Sequence, residues 1–231
     1  MKTTGKPLLI IAAVIIILCS CSPAYIPNKV NAPEFSNSGD LHVDLAAGLS
    51  GFDIQGGLAV TDFLGVFTNF CYGSSTSETN DNEGNHEHVI AEFGGTLYKG
   101  LTEKVFIAAN LGYGKGKIDD LSYNILSVST TTDSYFNKYI FHPYFYYKSN
   151  IANINFGVKV SKLDLFIDNI DSDDERYRDI FFEPYYEISL GYKWIKPNLQ
   201  MGLSLPLNEL PYNHRILIFN IGLLINLDLH K

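Results

Sequence analysis

Asn198-Leu199-Gln200-Met201-Gly202-Leu203-Ser204-Leu205 decides the fold. Leu199, Met201, Leu203 and Leu205 fall on one side of an extended chain and Asn198, Gln200, Gly202 and Ser204 on the other. A helix, with 3.6 residues per turn, would mix the two sets. The same period of two runs through 40–49, where Leu41, Val43, Leu45, Ala47 and Leu49 oppose His42, Asp44, Ala46 and Gly48. It recurs in 104–114, 153–161 and 182–192, and in weaker form in 53–60, 65–73, 88–98, 135–148 and 214–227. The expectation is ten strands, each with one polar and one apolar face.

The connections carry a second pattern. After the second, fourth, sixth and eighth strands they are short, as in Thr61-Asp62-Phe63-Leu64 and Lys148-Ser149-Asn150. After the third, fifth and seventh they read as long polar loops, 74–87, 116–134 and 162–179. An even strand number with turns at one end and loops at the other is the pattern of an up-and-down antiparallel transmembrane β-barrel, all-β, with turns on the periplasmic side. Glycines concentrate on the polar faces (Gly48, Gly57, Gly94, Gly112, Gly157, Gly202), which marks those faces as the crowded inside, so the apolar faces meet lipid. The rival is a soluble, lipid-anchored barrel with its apolar faces turned inward around a small apolar ligand.

Composition agrees with sheet. The 231 residues are 46% hydrophobic, 13% aromatic and only 18% charged, which excludes disorder and a coiled coil. The formal charge is -8; without Lys2 and Lys6, 15 cations face 25 acids, a balance of -10 that speaks against nucleic acid as a partner.

Lys2 and Lys6 precede an uncharged run of Ile, Leu, Ala and Val that is too short for a membrane helix, so 1–20 reads as a signal peptide. Leu18-Cys19-Ser20-Cys21 resembles bacterial lipoprotein signals, with Cys21 as the lipidated residue; Cys19 follows the bulky Leu18 and does not fit. Acylation of Cys21 leaves Cys71 as the one free mature thiol, read as a small buried filler. Residues 21–38, with Pro23, Pro27 and Pro33 and no apolar period, read as the lipidated cysteine and a flexible tether to a barrel domain at 39–231. Both barrel ends and the tether are expected on the periplasmic side.

The stretches Cys21-Ser22-Pro23-Ala24-Tyr25-Ile26-Pro27-Asn28, Val30-Asn31-Ala32-Pro33 and Gly51-Phe52-Asp53-Ile54-Gln55-Gly56-Gly57-Leu58-Ala59-Val60-Thr61-Asp62 resemble outer-membrane β-barrel lipoproteins of the Bacteroidetes type. The resemblance covers about the first seventy residues. It implies a lipid-anchored place in the outer membrane of a Gram-negative bacterium and carries no active site. Ser22-Pro23-Ala24 lacks the acidic run associated with export of such lipoproteins to the cell surface, which favours a periplasmic anchor.

Chemistry is sparse. His42 shares a face with Asp44, and His142 and Glu183 are expected near one another on neighbouring inward faces; a His beside a carboxylate is the minimum for acid–base catalysis. With Lys159 and Glu187, these residues read instead as a structural polar cluster of the lumen, and no catalytic role is expected. The acidic run Asp168-Asn169-Ile170-Asp171-Ser172-Asp173-Asp174-Glu175 lacks the order of a known calcium loop, and Arg176 and Arg178 stand ready to neutralise it. His86 and His88 are too few for a zinc site. No cofactor is expected. The partners expected are membrane lipid, through acylated Cys21 and the barrel exterior, and a protein met by the long loops.

The function this implies is an outer-membrane barrel with a structural or surface-interaction role. Its lumen should be closed or narrow, filled by Tyr98, His142, Tyr144, Tyr146 and Tyr185. Asp44, Asp53, Glu92, Glu183 and Glu187 outnumber Lys138 and Lys159 inside, so any leak, or a pore function in the alternative, should prefer cations.

Overall fold

A computed structural model of the chain describes residues 23–79, 82–124, 127–169 and 175–229. The strands are β1 (Asp40–Gly48), β2 (Gly51–Ala59), β3 (Leu64–Thr79), β4 (Asn82–Gly100), β5 (Val105–Asn124), β6 (Ser127–Lys148), β7 (Ala152–Asn169), β8 (Glu175–Leu190), β9 (Ile195–Leu203), the two-residue β10 (Leu205–Pro206) and β11 (Leu217–Asp228). Each of β1 to β8 pairs antiparallel with the next. β9 lies between β8 and β11, and β11 closes the ring on β1 with Leu45 opposite Leu223. β10 continues β9 along β8 past an interruption at Ser204, so the two form one stave of a closed ten-stave barrel. Closure removes the sheet edges that would otherwise expose unpaired backbone.

The faces point as the alternation predicts. His42, Asp44, Asp53, Glu92, Lys138, Lys159, Glu183 and Glu187 are buried inside. Outside is a band of apolar side chains that includes Leu111 (58% exposed), Phe156 (54%) and Ile221 (59%), with Tyr139, Tyr186, Tyr192 and Trp194 also facing out. Charge within and an apolar belt without is the arrangement for lipid, opposite to that of a soluble barrel holding an apolar ligand. Cys71 is buried with its Sγ 3.2 Å from the Ser50 carbonyl, a filler as expected.

Two expectations need correction. The segments read as long loops are largely strand: β3 and β4 stay paired from Ser74 opposite Glu87 to Thr79 opposite Asn82, and β5 and β6 as far as Ser122 opposite Thr130. The ladder continues with the sense of the alternation reversed: Ile118, Leu163, Leu165 and Ile167 are buried on the inner face, while outward residues such as Lys162 and Asp168 are exposed. With 20 and 22 residues, β5 and β6 carry about ten residues each beyond the length that crosses a bilayer. β1, β2 and β9 have 9 each, so the wall is tall on one side and low on the other.

The second correction concerns the tether. Residues 23–35 are buried, apart from a half-buried Ala24, and lie inside the barrel. Cys21 and the signal peptide lie outside the described residues.

Leu111 sits near the middle of the outer band. Leu111→Arg should destabilise the folded barrel by about 2–4 kcal/mol in urea titrations in lipid vesicles. On the surface of a soluble barrel the same change would fall within about 0.5 kcal/mol.

Candidate functional site: the occupied lumen

The internal segment enters at the mouth from which the long hairpins rise. There the Ala24 amide donates to the Asn213 carbonyl (2.9 Å) and the Arg215 amide to the Tyr25 carbonyl (3.1 Å). The Tyr25 ring lies against Phe181 and Phe136, with centroids 4.6 and 5.5 Å away, and its hydroxyl donates to Glu183 (3.3 Å). The segment leaves at the short-turn mouth, where Asp40 Oδ2 accepts from the amides of Ser36 (2.6 Å) and Asn37 (3.2 Å). Gly39, at φ 83, turns the chain back into β1.

Between the mouths the segment has no regular structure, so its backbone groups need other partners. Lumen side chains supply them. Gln200 serves both polar groups of Val30: its Oε1 accepts from the amide (2.8 Å) and its Nε2 donates to the carbonyl (2.9 Å). The Lys29 carbonyl accepts from Gln55 (3.0 Å) and Asn69 (3.2 Å), the Asn31 carbonyl from Asn110 (2.9 Å), and the Pro33 carbonyl from the Tyr144 hydroxyl (2.9 Å). Tyr146 and Lys148 donate to the carbonyls of Phe35 and Glu34. Lower down, Phe35 packs against Tyr98 with centroids 5.4 Å apart. The wall is glycine where the segment presses closest: a Cβ on Gly57 would lie 2.9 Å from both the Phe35 ring and Pro33.

The segment also brings charge of both signs into the lumen, Lys29 and Glu34, the latter taking the Asn153 side-chain amide. Lys29, fully buried, bridges Asp44 and Glu187, the latter at 3.1 Å. Lys138 pairs with Glu92 and takes the Asn28 side-chain oxygen at 2.9 Å, while Lys159 pairs with Glu183 at 3.0 Å. A third lysine, from the internal segment, thus stands among carboxylates expected to leave a negative wall. The expectation from sequence is that rings alone fill the bore; instead Tyr98, Tyr144, Tyr146 and Tyr185 line it around the segment.

His42 and Asp44 share the inward face, but His42 Nδ1 faces Asn226 Oδ1 at 3.1 Å and the Glu34 amide at 3.4 Å. His142 and Glu183 do not meet. His142 bonds the Tyr185 hydroxyl (3.0 Å) and Asn110 (3.2 Å), while Glu183 takes Lys159, Tyr25, Ser161 and Ser204. His86 and His88 do lie inward together, with ring centroids 5.5 Å apart. Among the described residues no three His, Cys, Asp or Glu gather as metal ligands. Residues 170–174 of the acidic run lie outside the described residues, and Arg176 and Arg178 both face Asp164, at 3.6 and 3.2 Å. At the upper mouth, burial and a hydrogen bond to Asp179 push the Tyr212 phenol up, and burial pushes His214 down.

These features define a class: a transmembrane β-barrel whose bore is taken up by its own chain. No protein-family model and no curated protein matches the chain. Among solved structures it is similar to the translocator domain of the autotransporter NalP from Neisseria meningitidis, with a TM-score of 0.47 at 8% identity over 81% of this chain and 85% of that one. A major outer membrane protein from Thermus thermophilus gives 0.43 at 10% identity over 81% and 99%. Both scores fall below one half, so the closed barrel rests on the strand pairings themselves.

Lys29→Met should leave Asp44 and Glu187 buried without their cation and destabilise the barrel by about 3–5 kcal/mol. Neutralising both carboxylates in the same chain, with Asp44→Asn and Glu187→Gln, should restore much of the loss. Unfolding in detergent checks both, and a neutral Lys29→Met would contradict the bridge.

Proposed function

We propose that the protein is an outer-membrane barrel of a Gram-negative envelope, anchored in addition through acylated Cys21, and that it works as a closed scaffold rather than a conduit. The observation that carries this reading is the occupied lumen. Residues 23–35 lie within the bore, and groups that would select a solute are bonded to them instead.

A scaffold needs something to present. The three hairpins built by β3 to β8 stand beyond the lipid-crossing length and are largely polar there, with Asp119, Asp133 and Asp168 among their carboxylates. Their paired strands hold these surfaces out as stiff ribbons, and the partner that fits is a protein meeting the membrane from the hairpin side. No catalytic role is assigned to the lumen. His42 and His142 are engaged by amides and a phenol.

Planar-bilayer recording of the purified protein should show no stable conductance steps. Large steps with cation preference would overturn the closed scaffold and favour the pore. Deleting the tip of the β5–β6 hairpin should leave the barrel folded while removing partner capture and the fitness it supports.

A further inference from the structure

Tyr25 is held at the hairpin mouth by the chain at His214 and Arg215, and Ser36 is held at the turn mouth by Asp40. Pro23, the first described residue, therefore stands at the mouth from which the hairpins rise. We propose that the chain threads its own barrel, so that the end preceding Pro23, with acylated Cys21, emerges on the same side of the membrane as the long hairpins. Resting on the outer-membrane reading above, the proposed threading puts the acyl chains in the outer leaflet, opposite to the periplasmic anchor expected from sequence.

Reach decides the side. Cys21 precedes Pro23 by two residues, which span at most about 7 Å fully extended. The hydrocarbon core is about 30 Å thick. A lipid on Cys21 cannot reach the turn-side leaflet while Tyr25 and Lys29 hold their places.

The low wall lets it reach the near one. The amino end exits against the connection between β10 and β11, where the Ala24 amide meets Asn213, and the strands β1, β2 and β9 on that side are only nine residues long. Leu207 and Ile216, 62% and 42% exposed, extend an apolar surface to that rim. Acyl chains there enter lipid without climbing the tall hairpins on the other side. The anchor then pins the free end of the internal segment at the mouth by which it entered.

The test places one short epitope in each of three full-length chains: after Ser22, within the β3–β4 hairpin, and after Lys231. Incorporation of a fatty-acid analogue confirms that each is still lipidated. Antibody should reach the first two on intact cells and the third only after permeabilisation. An epitope after Ser22 that behaves like the one after Lys231, while the hairpin epitope is open, would overturn the threading. If the first two were closed and the third open, the assumed orientation would fail while the threading stood. A pair free of insertions, Ala24→Cys with Asn213→Cys, should cross-link on oxidation, giving a mobility shift that reductant removes. Two reactive thiols that stay unlinked would also overturn the proposal.

Discussion

A barrel that turns its apolar faces to lipid leaves a bore lined with charge, amide and phenol, and those groups must be met by water or by protein. Here the chain meets them itself. The bridge from Lys29 to Asp44 and Glu187 is its centre, because it joins carboxylates from β1 and β8 through a cation supplied by neither strand. Charges removed from water need close opposite partners and filled hydrogen-bonding capacity. The bridge has the close cation, and further donors beside it: Asn198 donates to Asp44 Oδ2, at 2.7 Å, and Gln200 to Glu187 Oε2, at 2.9 Å, while Asp44 Oδ1 has no hydrogen-bond partner among the described residues. The internal segment is thus held in the bore by electrostatics as well as by packing.

The alternation in 198–205 and 40–49 was readable because lipid outside and polar groups inside impose opposite demands on successive residues. Which face turns inward was readable from glycine. The hairpin extensions were not: there the inner face buries Ile118, Leu163 and Leu165 and the outer face turns polar, so the sense of the alternation reverses within a mostly polar stretch that reads as loop. The internal segment was hidden for a related reason. Its surroundings are the polar lumen, so Asn28, Lys29 and Asn31 are among its buried side chains, and a proline-broken polar stretch reads as a tether. Two signals stood in the sequence all the same. Tyr25, Ile26 and Phe35 are unusual in a solvated linker, and five inward carboxylates against two inward lysines call for another cation close by.

The histidines illustrate the limit of reading pairs by face alone. His142 and Glu183 both point inward, yet each is bonded to other partners, because inward direction does not fix depth along the bore. Stave length has more to say about use than any single side chain. Six long staves and a low wall give the molecule one side that stands off the membrane and one that stays near lipid. The internal segment emerges beside the latter.

Hydrogen–deuterium exchange on the folded protein in membranes tests the central claim most directly. Peptides covering 24–36 should be protected to a degree comparable with the membrane-crossing strands, with the Val30 amide, held by Gln200, among the slow ones. Exchange across this stretch at the rate of an unstructured chain would show that it lies outside the bore.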